Sequence, residues 1–277
     1  KRKINFFWFS KETSILINNW FMMYFLSVIL IGTIYPIFLE VLSSEKISVG
    51  PPFYNKLILP FLIPFLLAMA IGPKLRWIKS DLQNKANLII FLIISFLLTV
   101  LIIKKLNISF LMNTILVTSA FYLFFLTLRD FLIMKFENLS QNFAHFGFSL
   151  LILSILFNNI FSTEIITNLK IGETFQSQKI KINFESVEQK NEQNFKAIIG
   201  KFKVENIDGI VEVLNPQLRI YNQPNIVTSE ADIKTSLLRD IFITMNLVQN
   251  QEYFNIRYQI KPFMIWIWFS VLLISFA

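Results

Sequence analysis

Five runs of mostly apolar residues, each near the length that crosses a bilayer, leave few folds open to this chain. A membrane-spanning helix needs ~20 predominantly apolar residues to cover ~30 Å of hydrocarbon. Residues 18–38, 54–71, 87–103, 109–128 and 142–161 meet or approach that requirement. A sixth run, within 261–277, starts at Pro262 and reads as the beginning of a further helix. Hydrocarbon offers no partner to an exposed N–H or C=O, so each run must pair its backbone internally, as a helix does. Hydrophobic residues are 54% of the 277, against ~45–50% in a soluble domain. Pro60 and Pro64 are expected to kink the second helix. Trp8, Trp20, Trp77, Trp266 and Trp268 fall near predicted helix ends, as interfacial anchors do.

The formal charge of +8 does not point to nucleic acid, because the basic residues flank the apolar runs. Lys1, Arg2, Lys3, Lys11, Lys74, Arg76, Lys79, Lys85, Arg129 and Lys135 fall on one side of the predicted spans. Lys46, Lys56, Lys104 and Lys105 fall on the other. The positive-inside rule puts the richer side in the cytoplasm, or the mitochondrial matrix. Five crossings then deliver 162–260 to the periplasm or its equivalent. The chain opens on Lys1-Arg2-Lys3 and stops inside an apolar run, so it is expected to be an internal piece of something longer.

Residues 162–260 change character. Lys179-Ile180-Lys181-Ile182-Asn183-Phe184-Glu185 alternates polar and apolar, as does Tyr253-Phe254-Asn255-Ile256-Arg257-Tyr258-Gln259-Ile260. That period of two marks half-buried strands. Residues 195–205, 210–221, 231–237 and 241–247 also read as strands, with turn chemistry at 206–209 and 223–225. Six or seven short strands in about a hundred residues predict a small antiparallel sandwich or barrel. The fold class is therefore a polytopic α-helical membrane protein with a small all-β antiparallel extracytoplasmic domain inserted before the last helix.

Few residues invite chemistry. There is no cysteine, hence no disulfide and no thiolate ligand or nucleophile. No phosphate-cradling loop, paired-carboxylate site, nucleophile elbow or metal-spaced cluster is present. His145 is the only histidine and falls near the start of the fifth helix. An ionisable group in a membrane segment is a functional candidate, and neutral imidazole is an axial ligand of haem iron. Ser149 shares its helical face and Gly147 thins the helix nearby, as a flat macrocycle packed there would require. An interfacial histidine bonded to a neighbouring helix is the alternative. A second feature is the loop Gly50-Pro51-Pro52-Phe53-Tyr54-Asn55, where Pro-Pro fixes a stiff, non-helical entry into the next span. It is either a surface for a partner or flat ligand, or a structural turn. Arg239-Asp240 reads as an ordinary strand-end pair.

Several motifs together resemble the CcmF family of membrane haem lyase subunits, in its C-terminal half. They are Glu12-Thr13-Ser14 with Asn18-Asn19, Gly32-Thr33-Ile34-Tyr35-Pro36, and Ile47-Ser48-Val49-Gly50-Pro51-Pro52-Phe53-Tyr54-Asn55. Ile71-Gly72-Pro73-Lys74-Leu75-Arg76-Trp77, Ala144-His145-Phe146-Gly147, Ile171-Gly172-Glu173, Thr228-Ser229-Glu230-Ala231, Arg239-Asp240 and Lys261-Pro262 follow in family order. The resemblance implies cytochrome c-type biogenesis at the bacterial inner membrane, with the mitochondrial inner membrane as alternative. Haem is received from the chaperone CcmE and joined covalently to the Cys-x-x-Cys-His thiols of apocytochrome c, held by CcmH and CcmI. It makes His145 an axial ligand of a resident haem b that helps reduce the incoming haem. The second ligand, the tryptophan-rich haem-handling segment and two further histidines are absent from this chain, so the fragment alone is expected to be inactive. A paralogous lyase for a multihaem cytochrome such as nitrite reductase, and a non-catalytic scaffold docking partners through its β domain, are the alternatives. Scarce charge within the spans disfavours a transporter.

Overall fold

The computed structural model describes residues 10–43, 47–78, 85–106, 110–133, 138–177, 180–206, 209–248 and 252–277. Trp8, Lys1, Arg2, Lys3, Lys46, Lys79 and Lys135 lie outside them, as does Lys179 at the head of a predicted strand. The chain divides into two compact units: Lys1–Leu153 with Ser270–Ala277, and Ser154–Phe269.

The first unit is helical. Its elements are α1 (Lys11–Ser43), α2 (Pro51–Ile71), a 3₁₀ turn (Gly72–Lys74), α3 (Lys85–Leu106), α4 (Phe110–Leu132), α5 (Leu139–Phe161) as far as Leu153, and α6 (Met264–Ser275) from Ser270 on. Five of these are long and apolar enough to cross a membrane; α6, with 12 residues, is shorter. Each of the five long helices runs past its expected apolar stretch at one end or both, because a helix continues into the interface where polar ends meet water. Two expectations change as a result. Pro51 to Asn55 are the first turn of α2 rather than a non-helical loop, with Pro51 and Pro52 where the missing N–H costs nothing. Trp20 sits well inside α1 rather than at its end. Pro60 and Pro64 lie within α2 without ending it.

Hydrocarbon removes most of the hydrophobic drive between helices, so close packing and local hydrogen bonds must hold them. Tyr54 lies so near Gly32 that a Cβ there would stand 2.6 Å from its hydroxyl. The Tyr24 hydroxyl donates to the Leu57 carbonyl at 3.0 Å. An aromatic seam follows, with Phe25 on Phe65 at 5.5 Å and Phe65 on Phe148 at 6.0 Å. Buried Leu123 and Leu126 fill the interior side of α4. Ser95, Thr99, Ser119 and Thr127 turn their hydroxyls back onto carbonyls of the preceding turn, so these four leave no polar hydrogen unpaired in the apolar phase.

The second unit is a sandwich of two antiparallel sheets. One orders β1 (Thr163–Leu169), β10 (Phe254–Pro262), β9 (Arg239–Leu247) and β8 (Asp232–Thr235). The other orders β2 (Thr174–Gln176), β3 (Ile180–Asn191), β4 (Phe195–Asn206), β6 (Gln217–Tyr221) and β7 (Val227–Glu230), with β5 (Val211–Leu214) also on β4. Among the described residues, ten strands replace the expected six or seven. Pro216, which cannot donate to a ladder, divides 210–221 into β5 and β6. The chain changes sheets at Ala231, so the strand expected over 231–237 becomes β8 alone. Between the sheets, Phe184 stacks on Phe202 at 4.3 Å, surrounded by Ile182, Val204, Leu218, Ile243, Met245 and Ile256. Ser229 donates to the Met245 carbonyl at 2.7 Å and ties one sheet to the other.

Phe202→Ala removes half of the central stack and should destabilise the sandwich by ~3–5 kcal/mol, read as a lower urea midpoint for loss of protease resistance. Tyr258, fully buried, has a hydroxyl with no hydrogen-bond partner; burial, then the nearby Glu212 charge, push its pKa up to about 12. The folded state then holds the phenol proton more tightly than the unfolded chain. The resulting stability is complete below pH ~10 and is lost toward pH 12, a fall of roughly 2–3 kcal/mol. Tyr258→Phe should flatten that alkaline limb in a denaturation series between pH 9 and 12.

Candidate functional site

A serine starts α1 in a defined place. Ser10 accepts from the Thr13 N–H at 3.3 Å and shares a hydroxyl bond with Thr13 at 3.0 Å. That cap fixes where the 3.6-residue period begins. Lys11, Ser14, Ile15 and Asn18, spaced at i, i+3, i+4 and i+7, share one face, and all four line a cavity of about 220 Å³. The opposite wall is the end of α2, where Ala68, Met69 and Gly72 repeat the same spacing. Gly72 permits this approach, since a Cβ there would collide with the Ser14 hydroxyl. Gln141 and His145, one turn apart on α5, complete the lining.

A second cavity of about 510 Å³ shares Lys11, Met69, Pro73, Gln141 and His145 with the first and extends to Lys74, Arg129 and Asp130. Lys74 and Asp130 form an ion pair at 2.5 Å, with the lysine mostly covered and the aspartate more open. Three basic side chains thus meet one carboxylate around this space. The segment after α2 is strapped to the head of α1. The Lys11 N–H donates to the Arg76 carbonyl at 3.0 Å, its ammonium lies 5.3 Å from the Trp77 ring centre, and the Glu12 carboxylate accepts the Ile78 N–H at 3.0 Å. Ile78 has φ +68, a strained value for a β-branched residue, which that carboxylate helps to hold.

The His145 Nδ1 is buried and has no hydrogen-bond partner. A buried nitrogen without a bond is costly unless something is meant to meet it. The structure does not bring the other sequence candidates to this place. Gly147 faces the end of α6, where a Cβ would stand 2.9 Å from Ile274. Ser149 is fully buried against α4, 2.7 Å from the Thr127 hydroxyl, and donates to the Phe146 carbonyl. Gly50, Pro51, Pro52, Phe53, Tyr54 and Asn55 lie at the opposite end of α2, about 30 Å away along a 21-residue helix. Sequence reasoning left out Lys11, Ser14, Asn18, Lys74, Asp130 and Gln141 as site residues. The signal was available: the Glu12-Thr13-Ser14, Ile71–Trp77 and Ala144–Gly147 blocks all converge on this one pair of cavities.

Comparison with known proteins bears out the resemblance. Residues 160–262 match the family model described as the CcmF C-terminal beta-sandwich. The cytochrome c-type biogenesis protein CcmF of Pseudomonas fluorescens is 26% identical, over 100% of this chain and 44% of its own length. That of Escherichia coli K12 is 26% identical over 99% of this chain and 44% of its length. The cytochrome c-type biogenesis protein NrfE of Haemophilus influenzae is 24% identical, with 99% and 44% covered. A solved structure of the cytochrome c heme lyase CcmF superposes with a TM-score of 0.74 at 20% identity, over 98% of this chain and 45% of that one. The chain therefore aligns along its whole length with the C-terminal part of CcmF proteins, and it spans less than half the length of these relatives.

Asp130→Asn would leave the covered Lys74 ammonium unpaired. The expected loss is roughly 1 kcal/mol, between the ~0–1 of an exposed pair and the ~3–5 of a fully buried one, seen as a lower melting point in detergent.

Proposed function

We propose that this chain forms the C-terminal, resident-haem part of a cytochrome c maturation haem lyase, with His145 as one axial ligand of a haem b. The observation that carries the reading is the unbonded, buried Nδ1 of His145 beside two cavities that three family motif blocks build. The residues fit such a group. Neutral imidazole is a donor suited to haem iron. Ile15, Ala68 and Met69 give the smaller cavity apolar walls, while Lys11, Lys74 and Arg129 bring positive charge to the larger one. That charge suits the two carboxylate side chains of a haem. His145 is the only histidine among the 277 residues, so a second imidazole ligand comes from outside them. When bound, the haem supplies a one-electron couple for reducing the iron of the haem to be transferred.

The transferred haem is substrate, received from the CcmE chaperone. Each cysteine thiol of the apocytochrome Cys-x-x-Cys-His motif adds across one haem vinyl group. The thiol S–H bond and the vinyl π bond break as a carbon–sulfur and a carbon–hydrogen bond form, so nothing is expelled and no net electron is consumed. A lyase part without cysteine of its own suits this reaction, because both thiols belong to the apocytochrome. We place the sandwich on the periplasmic side, where CcmE, CcmH, CcmI and apocytochrome c are the partners within its reach. The likeness to NrfE extends the reading to a lyase for a different cytochrome, a choice of substrate rather than of chemistry.

The test is a reduced-minus-oxidised spectrum with pyridine haemochrome on the purified membrane protein, before and after His145→Ala. A b-type spectrum that is lost or strongly weakened in the variant, together with loss of mature cytochrome c, is the expected result. An unchanged spectrum, or a parent protein without haem, would return His145 to a packing role.

A further inference from the structure

The turn between β8 and β9 carries leucines where turn chemistry favours glycine, proline, asparagine, aspartate or serine. Ser236 and Arg239 close it, with the Ser236 N–H and hydroxyl both donating to the Arg239 carbonyl at 3.0 and 2.6 Å. The Arg239 N–H returns to the Ser236 hydroxyl at 3.2 Å. Leu237 and Leu238 stand at the tip, 70% and 65% exposed. The turn is well ordered by its own bonds, so local folding does not account for two outward leucines.

The backbone of the same tip is fastened to the start of α6. The Trp266 indole N–H donates to the Leu237 carbonyl at 2.8 Å, and the Phe263 N–H to the Leu238 carbonyl at 2.9 Å. This place is also level with the end of the membrane-length helix α5. Asn158, in the last turn of α5, donates to the Pro262 carbonyl at 2.6 Å, and Phe157 packs on Phe263 at 5.2 Å. The backbone of the tip is thus tied, through Phe263 and Trp266, to the residues that pack on the last turns of α5. Trp266 beside them, and exposed Trp268 beyond, are the residue type that settles at that boundary.

We propose that the β8–β9 tip is a membrane anchor, with Leu237 and Leu238 inserted among the lipids at the boundary between headgroups and acyl chains. The occupant of this surface is the bilayer. Its apolar boundary already runs along α5 and the first turn of α6, and the tip is continuous with it. The anchor gives the sandwich a third point of attachment to the membrane plane besides its two connecting chains. That attachment restrains the domain's tilt and fixes which of its faces looks away from the lipid.

The absence of cysteine lets one introduced thiol report alone. Leu237→Cys carries an environment-sensitive fluorophore in the full chain, reconstituted into phosphatidylcholine vesicles. Leu238→Cys serves if the first variant fails to insert. Ile171→Cys is the control: it is 55% exposed and lies beyond the far end of β1, about 25 Å from the α5 end. Lipid-borne nitroxide should quench the tip label several-fold more than the control, and aqueous iodide should quench it several-fold less. Equal iodide quenching at both positions would overturn the proposal. So would a tip label shielded from both quenchers, which would mean that protein rather than lipid covers the leucines.

Discussion

Water's absence from the hydrocarbon layer governs this molecule. It forces every spanning segment into a helix that satisfies its own backbone, and it weakens the usual drive for those helices to associate. What remains is contact at close range. Glycine serves that need at two places, Gly32 under Tyr54 and Gly72 under Ser14, where any side chain would separate α1 from α2. Serine and threonine hydroxyls are folded back onto their own helices, as Thr99 is onto Ser95. Against that background the buried Nδ1 of His145 and the buried hydroxyl of Thr118 stand out as polar groups of the helical part without a hydrogen-bond partner.

The site is assembled from distant parts of the chain by helix ends rather than by loops. The cap at Ser10 sets the phase of α1, the strap from Arg76 to Ile78 holds its first turn, and the Lys74–Asp130 pair joins the end of α2 to the end of α4. Charged groups gather there because helix ends lie near the polar boundary, where a charge costs far less than at the bilayer centre. One structure thereby provides both an apolar interior and a basic rim within a few residues of His145.

Much of the fold was legible in the sequence because two periodicities are strong. Long apolar runs identified five helices, and the period of two in 180–185 and 254–260 identified β3 and β10. The sandwich followed from many short strands, and only pairing could separate it from a barrel. β1 escaped notice because one face of Thr163–Leu169 is barely buried, so its alternation is faint. Pro51 and Pro52 misled in the other direction, since the same rigidity that stops a helix also starts one. The candidate site was legible only as one residue. His145 stands out as an ionisable group in an apolar run, whereas Lys11, Lys74 and Asp130 read as topology signals until folding places them around it.

The register Thr163↔Ile260 makes the sandwich's first strand and last strand neighbours on one ladder. The chain leaves α5 and returns to α6 side by side, after a detour of about a hundred residues. In architectural terms the sandwich is an elaborated hairpin: it occupies the place of a tight turn and leaves the spacing of the two helices to the bonds at its base, from Asn158 to Pro262.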